Sequence, residues 1–291
     1  SSHFGSSASA ARVNHSNPQC PRVCSSLRSL GMFILRSLPS FRPGIAYFND
    51  KTLYLTPTAR SPAANTVRSC RGPRFANRRS VQALLPASRV SLEIVADSGF
   101  EPLPAVALEP SAEELASLVN ELYAALSSGA TGGMGESDGG IVFNSTQLRQ
   151  GEGDPLEAAA VVLETVGLVA QRRNGLAFRL NTLGLCDSAT VDLLLSSDVL
   201  VRGDDDRRRE TRLASISVFL PSAESTQYAE LLQPREGLGF SDVCAFVARA
   251  AEAGVDVECT TVARPDVNVA AVEKLSMGLG ARSFRTRSWR E

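Results

Sequence analysis

Histidine is almost missing from this chain: of 291 residues only His3 and His15 are histidines, both close to the start. A Ser–His–Asp triad, a histidine-ligated zinc site and a histidine general base are therefore excluded beyond that leader. Lysine is equally scarce, and neither Lys51 nor Lys274 follows a glycine-rich loop, so no P-loop is present. The glycines of Gly129–Gly140 do not spell G-x-G-x-x-G between a strand and a helix, which removes the dinucleotide fingerprint. No run approaches the roughly 18 apolar residues that a membrane span needs. The six cysteines (20, 24, 70, 186, 244 and 259) are scattered rather than framed, unlike a secreted disulfide scaffold. Of these, Cys186, Cys244 and Cys259 lie in apolar stretches and read as buried thiols.

Acidic residues are also absent where they would be expected. From Ser1 to Leu92 the only one is Asp50, while arginine recurs at 12, 22, 28, 36, 42, 60, 68, 71, 74, 78, 79 and 89. The net charge of −1 hides this asymmetry and gives no support for a nucleic-acid binder as a whole. Residues 1–43 are rich in serine and arginine, the composition of a mitochondrial or plastid transit peptide or of a disordered basic extension. An organellar location is the expectation, with a cytoplasmic one as the alternative.

The remainder, residues 44–291, has ordinary globular composition and alternates short apolar runs with helical segments. Strands are expected at Leu53–Leu55, Ile141–Phe143, Leu176–Asn181, Ala214–Leu220, Val255–Val262 and Ser283–Arg287, with a further extended piece at Val90–Val95. Ser111 and Glu114 form a capping box ahead of a stripe of Leu115, Leu118, Leu122 and Leu126, and that helix should end at Gly129. Pro155 opens the next helix. Helices then follow at Ser188–Ser196, Ala223–Leu232, Ser241–Ala253 with Ser241 as cap, and Val269–Leu279. Stretches near 76–110 and 200–212 read as variable inserts, and the mixed charges of Arg202–Arg212 mark a solvated loop. Such alternation implies parallel βαβ units, either a closed or partial barrel or a doubly wound sheet. In both, ligands bind at the carboxyl ends of the strands.

Four segments carry a family resemblance. They are Ala46–Arg60 (AYFNDKTLYLTPTAR), Leu176–Leu185 (LAFRLNTLGL), Ala214–Pro234 (ASISVFLPSAESTQYAELLQP) and the terminal stretch Gly239–Arg287. In that order they resemble the TatD-associated radical S-adenosylmethionine (radical SAM) family, of which this chain looks like a divergent member. The resemblance implies an α/β fold, a partial (β/α)6 TIM-like barrel of the radical SAM type behind a disordered N-terminal extension. It also implies two family cofactors. A 4Fe–4S cluster would rest on three cysteines spaced C-x3-C-x2-C after the first strand, and S-adenosylmethionine would bind the open iron. Soft thiolate donors are what such a cluster requires.

This chain departs from its family at that motif. The cluster-ligand positions read Ser61, Asn65 and Arg68; a frame using Cys70 places Ala63 and Val67 in the other two. Neither frame supplies a second thiolate, and an arginine cation cannot ligate iron. Cys20 and Cys24 lie far ahead of the strand, with Leu27 in the third place. The family's Gly-Glu-Pro motif finds its counterpart in Gly153, Asp154 and Pro155, where the carboxylate could accept from a ligand ammonium or simply cap a helix. Asn181, Thr182 and Gly184 match the next motif; they could lie near an adenosine or turn the chain.

The resulting expectation is a degenerate radical SAM-like protein with no catalytic residue assigned, no metal and no cofactor of its own, acting as a binding or structural protein. The alternative is an active radical SAM enzyme whose cysteine motif is missing through a gene-model error near 57–75. A third reading keeps S-adenosylmethionine or another nucleotide bound without cluster chemistry. The family link to a TatD-type nuclease points to a protein partner, with no membrane span and no clear nucleic-acid site.

Overall fold

The computed structural model describes residues 46–49, 52–65, 69–71, 109–127, 140–144, 153–203 and 210–290. The basic leader, the strand expected at Val90–Val95, the helix end at Gly129, most of the insert near 76–110 and residues 204–209 of the other lie outside the described residues.

Two short runs separated by Asp50 and Lys51 open the fold as an antiparallel pair, β1 (Ala46–Asn49) and β2 (Thr52–Leu55). Strands β3 (Ile141–Phe143), β4 (Ala177–Thr182), β5 (Arg212–Phe219), β6 (Val257–Ala263) and β7 (Ser283–Ser288) follow, and every pair from β2 to β7 is parallel. The seven strands lie in sequence order, β1 to β7. A doubly wound sheet reverses its strand order at a switch point, and no reversal occurs here. The chain is thus α/β, with a six-stranded parallel sheet alternating with helices, compatible with a partial TIM-like barrel.

The connecting helices are α1 (Ala112–Ser127), α2 (Ala159–Ala170), α3 (Ser188–Ser196), α4 (Ser225–Leu232), α5 (Phe240–Glu252) and α6 (Val269–Gly278). Their starts are capped locally, which satisfies amide donors left open in a first turn. Ser111 Oγ accepts from Glu114 N at 3.2 Å, Asp187 Oδ1 from Thr190 N at 2.8 Å and Asn268 Oδ1 from Ala271 N at 3.1 Å. Two starts differ from expectation. Pro155–Ala158 forms a 3₁₀ turn before α2, and α5 has Gly239 as its N-cap, whose amide donates to the Asp242 carboxylate at 2.8 Å, so Ser241 is not its cap.

One face of the sheet is apolar and meets the helices. Leu53, Phe143, Phe178, Leu180, Ile216 and Val218 are buried there against Leu115, Val166, Val243 and Phe246, and the Phe143 and Phe178 rings stack with centroids 5.4 Å apart. The other face is polar. Parallel strands covered on both faces read as continuous apolar runs, but here the register aligns Tyr54 with Val142, Val142 with Arg179, Arg179 with Ser215, Ser217 with Glu258 and Thr260 with Arg285. A bulge after Phe178 sets Ala214 aside and keeps the two faces in phase. None of the described helices is long and apolar enough to cross a membrane.

Candidate functional site

Three groups of side chains stand out: two at the carboxyl ends of β2 and β4, and a third on the polar face toward the starts of β4, β6 and β7. The first is built from β4 and the segment ahead of α2. Thr182 is the last residue of β4, and its hydroxyl donates to the Asp154 carboxylate, 2.7 Å from Oδ1 and 3.0 Å from Oδ2. The amide of Leu183 donates to Oδ2 at 2.6 Å and that of Leu156 to Oδ1 at 2.9 Å. Thr182 Oγ1 in turn accepts from Gly184 N at 2.9 Å. Asp154 is thus the N-cap of the 3₁₀ turn and the clamp that ties the start of α2 to the end of β4.

The structure therefore brings Gly153, Asp154 and Pro155 against Thr182 and Gly184. The Asp154 carboxylate is buried, with 1% exposure, and all its described partners are protein donors. Three donors do not fill a carboxylate's roughly four acceptor sites, so burial rather than saturation separates Asp154 from a ligand ammonium. Burial raises its pKa to about 6; the amides of Leu183 and Leu156 and the Thr182 hydroxyl oppose that rise, and neighbouring Glu157 adds to it. Gly184 adopts φ +69, and a Cβ there would lie 3.0 Å from Val218 Cγ1 and Val243 Cγ2. Its missing side chain makes room for the core rather than for a ligand. Asn181 stands apart from this group: it is on the polar face, where its Oδ1 accepts from Arg179 Nε at 3.1 Å.

The second group is the loop after β2, where the cluster-ligand positions fall. Ser61 Oγ donates to Ala63 O at 2.9 Å and accepts from Ala63 N at 3.3 Å, so its hydroxyl closes a local turn. The loop is bolted to the end of α4: Ala64 N donates to Gln233 O at 3.0 Å, Asn65 N to Leu232 O at 2.9 Å and Arg235 N to Pro62 O at 2.7 Å. Arg60 Nη2 donates to Glu157 O at 2.6 Å, and Arg235 forks onto the Glu157 carboxylate at 3.0 and 3.2 Å. Arg68 lies outside the described residues. Cys70 is buried, its thiol 3.6 Å from Leu231 O.

At two of the positions where the resemblance would place thiolates, Ser61 spends its hydroxyl on the turn and Asn65 offers an amide. The other thiols are not poised for reaction either. Burial pushes Cys186 up to about 12, helped by the negative charge of Asp154, and pushes Cys259 up to about 11.

The third group was not singled out from the sequence. On the polar face, Glu258 of β6 takes Arg179 of β4 on one carboxylate oxygen and Arg285 of β7 on the other. Between them β5 presents only Ser215 and Ser217, small enough to let Arg179 reach across. Burial pushes the Glu258 carboxyl up, but the hydrogen bonds and charges of Arg179 and Arg285 outweigh it and hold it low. The signal was in the strands themselves, where F-R-L-N, V-E-C-T and F-R-T-R alternate instead of running apolar. Compared with known proteins, the chain matches no family model and no curated protein.

Proposed function

We propose that this chain is a degenerate radical SAM-like protein that keeps the partial barrel, carries no 4Fe–4S cluster and works by binding, in an organelle. The observation that carries the proposal is the loop after β2. It has serine and asparagine at the first two ligand positions, and it is fastened by backbone hydrogen bonds to Leu232–Arg235. The sequential parallel strand order is compatible with the partial barrel that the resemblance implies, and the Gly-Asp-Pro and Asn-Thr-x-Gly segments are hydrogen-bonded to one another. Asp154, the counterpart of the family's ammonium acceptor, is bonded to β4, as a scaffold residue would be. The partner expected on this reading is a protein, with the family link to a TatD-type nuclease as the first candidate.

Without the iron, S-adenosylmethionine loses the anchor for its amino and carboxylate groups. Calorimetric titration of the full chain, after anaerobic incubation with iron and sulfide, should show no saturable uptake of S-adenosylmethionine, and a reductant should release no 5′-deoxyadenosine. Reductant-dependent 5′-deoxyadenosine that scales with protein concentration would overturn the proposal and favour the active enzyme.

A further inference from the structure

The polar face has the makings of a binding site that the cluster question does not touch. Arg179 bonds through Nε to Asn181 and through Nη2 to Glu258, and Arg285 bonds through Nε to Glu258. Glu258 thus holds two guanidinium groups from strands two positions and one position away, with its own side chain only 14% exposed. Among the described residues, Arg179 Nη1 and both Nη atoms of Arg285 make no further hydrogen bond, and the Arg285 side chain is 53% exposed. Two cations against one carboxylate leave this group of three with a charge of +1. The walls are hydroxyls: Ser215 and Ser217 lie between the arginines in register, and Thr260 pairs with Arg285.

An arginine whose Nε is already tied down presents its Nη pair in a fixed direction. That planar fork matches two oxygens of a carboxylate or phosphate. The low-dielectric sheet beneath it strengthens the attraction relative to open water. A structural role alone would not need the excess cation, since one arginine would neutralise Glu258.

We infer that the polar face of this sheet binds a small molecule through an oxyanion group, carboxylate or phosphate, held by Arg285 and Arg179 while Glu258 orients both. The half-buried Ser215 flanks that position, while Ser217 and Thr260 are buried beneath it and the Thr260 hydroxyl donates to Val218 O. The inference stands whether or not a cluster is present, so its failure and that of the proposed function are separable.

The test is thermal denaturation and calorimetry of the full chain with inorganic phosphate and, separately, malonate, against sodium chloride at equal ionic strength. At least one anion should raise the melting temperature above the chloride control, and which of the two does so identifies the oxyanion. Arg285→Ala should weaken that binding by about tenfold or more, the loss of one bidentate charge-assisted pair. Arg285→Lys keeps the charge on an exposed edge strand but loses the fork, and should weaken it several-fold. Arg249→Ala, which removes a cation on α5 paired with Asp192 of α3, should leave it unchanged. Overturning results would be that neither anion exceeds chloride, or that both Arg285 variants bind as tightly as the parent chain.

Discussion

Asp154→Ala should cost the fold about 4 kcal/mol, because two amides and one hydroxyl lose their acceptor inside the protein at about 1–3 kcal/mol each. The donors are Leu156 N, Leu183 N and Thr182 Oγ1. Part of that loss is returned, since the variant no longer buries a carboxylate. Asp154→Asn should cost less. The amide keeps one acceptor oxygen but turns its NH₂ toward one of two amide donors that approach different carboxylate oxygens.

The pH dependence gives this clamp its own signature. The folded pKa of about 6 lies above the unbonded value of 3.8. Between those values the folded chain binds the extra proton, so the Asp154 contribution is full below about pH 4 and is lost as pH rises through 6. The difference corresponds to about 3 kcal/mol at roughly 1.4 kcal/mol per pKa unit. Carboxylates held low, such as Glu258 and Asp266, follow the opposite trend. Urea denaturation of the parent chain and Asp154→Asn across pH 4–8 cancels them. The stability gap between the two should narrow with rising pH; a gap that stays constant would mean that Asp154 titrates normally.

Gly184→Ala is the second large effect. At φ +69 an L-residue costs about 1–2 kcal/mol. The added methyl would also sit 3.0 Å from Val218 Cγ1 and Val243 Cγ2 and 3.2 Å from Phe246 Cδ1. Overpacking of that kind costs about 1–3 kcal/mol more, for a total near 3–4 kcal/mol. Gly237, at φ +83 with nothing within 4 Å of its added Cβ, supplies the control. Gly237→Ala should carry the backbone cost alone, about 1–2 kcal/mol. Equal losses in the two variants, measured by denaturant midpoint, would show that the contact with α5 is not tight.

Much of this architecture was legible because local chemistry and the tertiary structure agree. Ser188–Ser196 is helical over its expected span, with Asp187 capping its start. The parallel strands fall within a few residues of the apolar runs that name them. The misses have local causes. Asp50 and Lys51 separate two strands that read as one, although a polar pair between short runs is a hairpin signal. Ser241 looks like a cap, but Gly239 and Asp242 already satisfy the start of α5.

The candidate site was legible only as a set of residue types. That Asp154 accepts at a helix start follows from Pro155 beside it; that its second oxygen is taken by Leu183 does not, because the partner is 29 residues away. The Arg179–Glu258–Arg285 group needs the register of four strands, including the bulge at Ala214, before its members meet. Neither is encoded in a short motif. That Ser61 and Asn65 are not thiolates, by contrast, is visible at once, and the fold shows how their loop holds its shape through Gln233, Leu232 and Pro62.

The proposal that this chain carries no 4Fe–4S cluster is tested most directly by iron and acid-labile sulfide analysis. After anaerobic reconstitution and desalting, the full chain should retain no stoichiometric iron or sulfide and show no cluster absorption. Four irons and four sulfides per chain, bound and redox-active, would contradict it and return the protein to the radical enzymes.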